Sequence, residues 1–208
     1  MGGSKAVPER LSMFTRGRLV IAASALGALS IAGASVGALP AGAASSSAVP
    51  SPVSKLLSAS AAKALGYPKV AEKPQGTSKT GQAGCPKAAQ VAYEDSGSKT
   101  AVIPEILACT SAKSAATALA TARKSVTPSI TQKPPKALGS SAFEVATGQS
   151  IYAIAWQRGK YLAIVQFDLN VPATSSTSTT TTPNPTPITA AQQKTLSNAS
   201  LAQDKTIK

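Results

Sequence analysis

The longest apolar stretch of the chain runs from Leu19 to Leu39, 21 residues without a charge. Lys5, Arg10, Arg16 and Arg18 precede it against the single acid Glu9, Pro40 breaks it, and Ala41-Gly42-Ala43 follows as a site of small residues before Ala44. A basic start, an apolar core and a small-residue cleavage site make up a secretory signal peptide over 1–43. The same stretch is long enough to span a bilayer, so retention as an anchor by residues 19–39 stands as the alternative. Arg16 and Arg18 are split by Gly17, which removes a twin-arginine signal, and no Cys lies near the cleavage site to carry a lipid.

Beyond that point the periodicities change. Residues 44–84 form a Ser/Pro/Lys-rich segment. Within it Ser51-Pro52 opens a short helix over 52–65, where Val53, Leu56, Leu57, Ala61, Ala64 and Leu65 share one face, and Gly66 and Pro68 stop it. Residues 67–84 read as a loop. The folded core is expected over 85–170. Gln90–Glu94 reads as a strand, although Ala88, Ala89, Ala92 and Tyr93 also fit a helical face. Thr100–Ile103 and Ile106–Cys109 form a second extended stretch, and Pro104 between them argues for an edge or a bulge. The Ala-rich run from Ser111 to Val126 predicts a helix. Ala142–Ala146 predicts a short strand.

The clearest alternation is Ile151 to Leu169, a hairpin. With Arg158-Gly159 as its turn, Trp156 would face Tyr161, Ile154 Ala163 and Tyr152 Val165. One face then holds Tyr152, Ile154, Trp156, Tyr161, Ala163, Val165 and Phe167. The Ser/Thr/Pro-rich linker at 171–187 cannot form a packed core; 173–187 is expected to be disordered and leaves Thr179–Thr182 open to O-glycosylation. In 188–208, Thr189-Ala-Ala-Gln192 matches a capping box, which predicts a C-terminal helix that either docks on the core or remains a free tail. The fold class is α+β: a small antiparallel sheet with covering helices.

Composition sharpens this outline. The 208 residues include no His and two Cys. Without His, Ser-His-Asp and Cys-His catalysis and His-ligated zinc are excluded, and two thiols cannot close a four-Cys metal site. In an exported chain the pair reads as a disulfide, Cys85–Cys109. Phosphate-binding glycine loops and a nucleophile elbow are absent. No cofactor, metal or catalytic residue is therefore expected. The enzyme that remains conceivable uses carboxylates alone, from Glu94, Asp95, Glu105, Glu144 and Asp168, as a glycosidase does. Trp156 stands alone as an aromatic platform for such a substrate.

Removing 1–43 leaves 17 basic against 7 acidic side chains, +10. The cations are mostly Lys scattered through loops without interleaved aromatic residues, so nucleic acid is disfavoured. Outside the cell the available polyanions are anionic wall polymers and lipid headgroups. Trp156, Arg158 and Tyr161 at the mouth of the hairpin could line a ligand groove, with a core position for Trp156 as the alternative.

The signal peptide, Cys85 and Cys109, the Ala-rich helix, the Trp156-Gln-Arg-Gly-Lys-Tyr161 hairpin and the final helix together resemble the small exported α+β domains of actinobacteria. These include the extracellular sensor domains of actinobacterial serine/threonine kinases and related lipoproteins. The resemblance covers roughly residues 85–205 and implies a ligand-sensing or envelope role without an enzymatic site. The lipoprotein Cys and any kinase segment are missing, so neither anchoring nor signalling carries over. The resulting expectation is a secreted or envelope-associated, non-catalytic binding or accessory domain.

Overall fold

The computed structural model describes residues 49–77, 80–126, 133–147, 150–169 and 187–208. The segment 1–43, expected as a signal peptide, and almost all of the 171–187 run, with Thr179–Thr182, lie outside the described residues.

The elements in chain order are a 3₁₀ turn Pro52–Lys55, α1 (Ala59–Ala64), β1 (Lys69–Thr77), β2 (Lys87–Glu94), β3 (Ala101–Ala108), α2 (Ala112–Ser125), a 3₁₀ turn Lys136–Leu138, β4 (Phe143–Thr147), β5 (Ile151–Arg158), β6 (Tyr161–Asp168) and α3 (Ala190–Ile207). All six strands join one sheet in the order β1-β2-β3-β6-β5-β4, and every neighbouring pair is antiparallel. The α+β class is therefore observed.

Helices cover both faces. On one, Val91, Tyr93, Val102, Ile106, Tyr152, Ile154, Trp156, Val165 and Phe167 pack under α3 and the N-terminal segment, through Leu196, Ala199 and Ile207 and through Leu56, Leu57, Ala62 and Tyr67. On the other, Leu107, Phe143, Val145, Ala153, Ala155, Leu162 and Ile164 pack against Ala115, Ala118 and Leu119 of α2. Small side chains on α2 let it lie close to β5 and β6. The core thus draws on residues before Cys85 and after Leu169.

Four readings of the sequence are corrected. The segment 67–84, expected as a loop, contains β1. Eight of its nine residues are exposed, so the alternation that marks a half-buried strand is missing, and backbone pairing to β2 holds it. Lys69, Lys73, Pro74 and two register shifts break up its outer edge, the usual defences of an unpaired strand.

The helix expected over 52–65 is two short pieces. Leu56 and Leu57 lie between them and are buried side by side. The Leu57 N–H donates to Gln203 Oε1 at 2.7 Å and its carbonyl accepts from Tyr93 Oη at 2.6 Å. Tertiary partners have replaced the helical ones, and Ser58 caps a new start at α1.

Pro104 sits in a central strand, not at an edge or bulge. Pairing to β6 is unbroken through Pro104↔Val165, while the ladder to β2 lapses between Gln90↔Glu105 and Tyr93↔Val102. The lapse lies opposite the residue that has no N–H to give.

The hairpin turn is Gly159-Lys160, one residue later than expected. Trp156 therefore faces Ala163, Ile154 faces Val165 and Tyr152 faces Phe167, while Arg158 stays in the strand opposite Tyr161. Gly159 takes φ +55° at the first turn position, which suits Gly there. The register moves by two residues, so every side chain keeps its predicted face.

The C-terminal helix starts as predicted. Thr189 Oγ1 accepts from Gln192 N and the Gln192 side chain accepts from Thr189 N. Of the two alternatives for this helix, the docked one is observed.

Candidate functional site

The residues singled out at the hairpin mouth separate by depth. Trp156 is fully buried and takes the core position. Its indole Nε1 donates to Asp204 Oδ1 at 3.0 Å. Arg158 grips the same carboxylate with both prongs, Nε to Oδ1 and Nη2 to Oδ2, each at 2.7 Å. Lys208 Nζ adds an ion pair at 3.3 Å. Burial alone would raise the pKa of Asp204, but hydrogen bonds from Arg158, Trp156 and Lys208 and the Arg158 charge outweigh it and hold the carboxyl below its usual range. The space where a ligand carboxylate could meet Trp156 and Arg158 is filled by α3 of the same chain. Tyr161 remains partly exposed, with Lys160 Nζ 6.0 Å from its ring centre.

Around this buried node the rim is cationic, and hydrogen bonds tie its parts together. Gln157 Nε2 donates to the Ala112 carbonyl at 2.8 Å and to the Gly159 carbonyl at 2.9 Å, which brings Lys113 and Lys160 to one end of the sheet. Arg158 Nη2 donates to the Ala137 carbonyl at 3.0 Å, which places Lys136 beside them. Lys87, Ala108, Tyr161 and Arg158 form one row across β2, β3, β6 and β5. Lys113, Lys136 and Lys160 are all exposed.

The Cys85–Cys109 disulfide lies at the same end, fully buried, with its sulfurs 2.01 Å apart. It ties the approach to β2 to the end of β3. Gly84 beside it has φ +76°, and a Cβ there would meet Ser114 Cβ at 3.0 Å, so the loop closes on the first turn of α2 only because this residue has no side chain.

The carboxylates weighed for catalysis are spread out. Glu94, Glu105 and Asp168 share the sheet face that carries α2, whereas Glu144 points to the α3 face. Glu94 and Asp168 flank Ala101 in one row, about 10 Å apart by strand spacing, and Glu105 lies about 13 Å further along β3. Burial pushes Glu105 up to about 7. Glu144 is fully buried and its Oε2 accepts from Gln193 Nε2 at 2.6 Å. Asp95 closes the β2–β3 turn, accepting from Lys99 N, Thr100 N and Thr100 Oγ1. Burial would raise its pKa, but these bonds and one from the Gly97 amide keep it low. Among the described residues no three His, Cys, Asp or Glu gather as a metal site would need.

Two residues absent from the sequence reading organise this end: Asp204 and Gln203. Gln203 is fully buried, accepts from Leu57 N and donates from Nε2 to the Lys55 carbonyl at 2.7 Å. Thr206 Oγ1 bonds the same carbonyl. The available signal was an acid and an amide on a helix whose apolar side holds few large residues. Their partners lie 46 and 146 positions away, beyond any local pattern.

No family model matches the chain, and no curated protein matches it. Among solved structures it is similar to the extracellular domain of PknH from Mycobacterium tuberculosis, at 11% identity and a TM-score of 0.44, covering 73% of this chain and 93% of that one.

Proposed function

We propose that this chain is an exported, non-catalytic binding or accessory domain of the cell envelope. The supporting observation is the hairpin end of the sheet. Its would-be groove is occupied by the chain's own C-terminal helix, and it offers the outside a rim of exposed cations. The buried disulfide agrees with an oxidising compartment. The sequence of 1–43 supports export by a signal peptide, with anchoring through 19–39 as the alternative topology. No helix among the described residues is long and apolar enough to cross a membrane.

The binding surface is electrostatic, and its partners are anionic wall polymers or lipid headgroups. Glu105 stands about 13 Å along β3 from the row of Glu94 and Asp168, and Glu144 points to the other face, which weighs against either of them pairing with another of these carboxylates at hydrolytic distance. N-terminal sequencing of the protein recovered from its cells, with a pull-down of envelope material, tests this reading. The expected result is a mature start near Ala44 and recovery of an anionic component. A retained 1–43 segment would replace secretion by anchoring. Turnover of an envelope glycan that is lost in Glu105→Gln would replace the binding reading by an enzymatic one.

A further inference from the structure

Charge is distributed unevenly along the strands. At the hairpin end lie Lys87, Lys113, Lys136, Arg158, Lys160 and Lys208, with the carboxylate of buried Asp204 among them. At the opposite end of the sheet Glu94, Asp95 and Asp168 stand with Lys69 and Lys99, so charge of the two signs is close to balanced there. The chain between Glu105 and Asp168 has one acid, Glu144, and it is fully buried. The surface built from α2, the 133–142 loop and the hairpin turn therefore exposes positive charge with no acid to offset it.

We infer that this cationic end is the binding surface for a linear phosphodiester polymer of the cell wall. This inference rests on the binding reading above and names its site and ligand class. The cations are mostly Lys, compact point charges on flexible stems, which suit a mobile polyanion rather than one planar carboxylate. Arg158 is committed to Asp204 and to the Ala137 carbonyl, so the contacting charges are Lys113, Lys136 and Lys160, with Tyr161 beside them. A bilayer is the weaker fit. Surface docking on lipid adds an apolar anchor to the basic residues. The large hydrophobic residue exposed among those described is Val70, opposite Tyr93 towards the other end of the sheet.

The test uses the mature chain from Ala44 and synthetic poly(glycerol phosphate) as the probe, with affinity read by titration across a salt series. Two charge-matched triple variants are compared: Lys113→Gln/Lys136→Gln/Lys160→Gln at the hairpin end, and Lys63→Gln/Lys69→Gln/Lys99→Gln near the opposite end. The first set should weaken binding about tenfold or more and lower the slope of log affinity against log salt by about 2, at about 0.7 per lost phosphate contact. The second set should change affinity less than about twofold. All six positions are exposed, so thermal melting of both variants should match the parent and exclude misfolding. Equal losses in the two sets would overturn the assignment in favour of diffuse charge. Binding to phosphatidylglycerol vesicles without binding to the soluble polymer would overturn the ligand class, and so would a preference for duplex DNA. No binding to the polymer, with envelope material still captured in the pull-down, would end this inference and leave the broader reading standing.

Discussion

The two helices that cover the sheet are held in different ways. α3 is pinned by polar groups inside an apolar contact: Asp204 to Trp156 and Arg158, Gln203 to the backbone of Lys55 and Leu57, and Gln193 to Glu144. α2 is seated by shape, with Ala115, Ala118 and Leu119 against the sheet, and by the disulfide and Gly84 beside its first turn. Hydrophobic contact is non-directional, so it fixes that a helix packs but leaves its sliding register weakly defined. A buried carboxylate with three donors has one satisfactory position. The cost of an unpaired buried charge then penalises every other register of α3.

The largest effect should come from breaking the α3 node. Asp204→Ala leaves Arg158 partly buried without its partner and the Trp156 indole without an acceptor. A loss of about 3–5 kcal/mol is expected in denaturant titration. A loss below about 1 kcal/mol would mean that the ion pair does not hold α3. Asp204 also gives a pH signature. Its folded pKa is depressed, so its contribution is present above the unfolded value and is lost as pH falls through the folded one. The parent should therefore lose stability on acidification from about pH 4 downwards, and Asp204→Ala should lose less over that range.

On the α2 side the corresponding break is covalent. Replacing both Cys85 and Cys109 by Ser should cost about 3 kcal/mol, as expected for a loop of 24 residues in the chain-entropy model. Hydrogen exchange should then rise first at 80–86 and in the first turn of α2, with α3 still protected. Faster exchange in α3 before α2 would show that the two attachments are coupled.

A pH-dependent effect belongs to the sheet itself. Glu105 has a folded pKa of about 7, above its unfolded value. The neutral form is favoured in the fold, so stability falls as pH rises from about 4.5 to about 7. Glu105→Gln should stabilise the protein at pH 8 by roughly 3 kcal/mol and by much less at pH 4, measured as melting temperature at the two pH values. An equal shift at both would show that the effect is packing, not charge.

How far the sequence could be read depends on whether the physical cause was local. The helix start at Thr189 and the Ala-rich α2 were legible because capping and helix propensity act within one turn. The faces of β5 and β6 were legible because alternation survives an error in the turn. β1 was hidden because a strand exposed on both sides has no apolar rhythm. Pro104 misled because the rule that sends Pro to edges assumes that a neighbouring strand needs its N–H, whereas the ladder to β2 lapses at that point. Of the hairpin-mouth residues, Trp156, Arg158 and Tyr161 were singled out as a ligand groove, with a core position for Trp156 as the alternative, and Trp156 is in the core. The residue they depend on, Asp204, was not singled out.

By itself the sequence determined what the chain could not be and what its segments were made of. Lacking His, it had no Ser-His-Asp triad and no His-ligated metal; its two Cys, alternating hairpin and capped final helix pointed to the α+β class. Only the tertiary structure decided that α3 docks, that its carboxylate fills the space by Trp156 and Arg158, and that Lys113, Lys136 and Lys160 meet at one end. Each of those outcomes joins residues tens of positions apart. Capping, alternation and composition act over a few neighbouring residues, whereas charge pairing and burial depend on distance in space, which folding alone assigns.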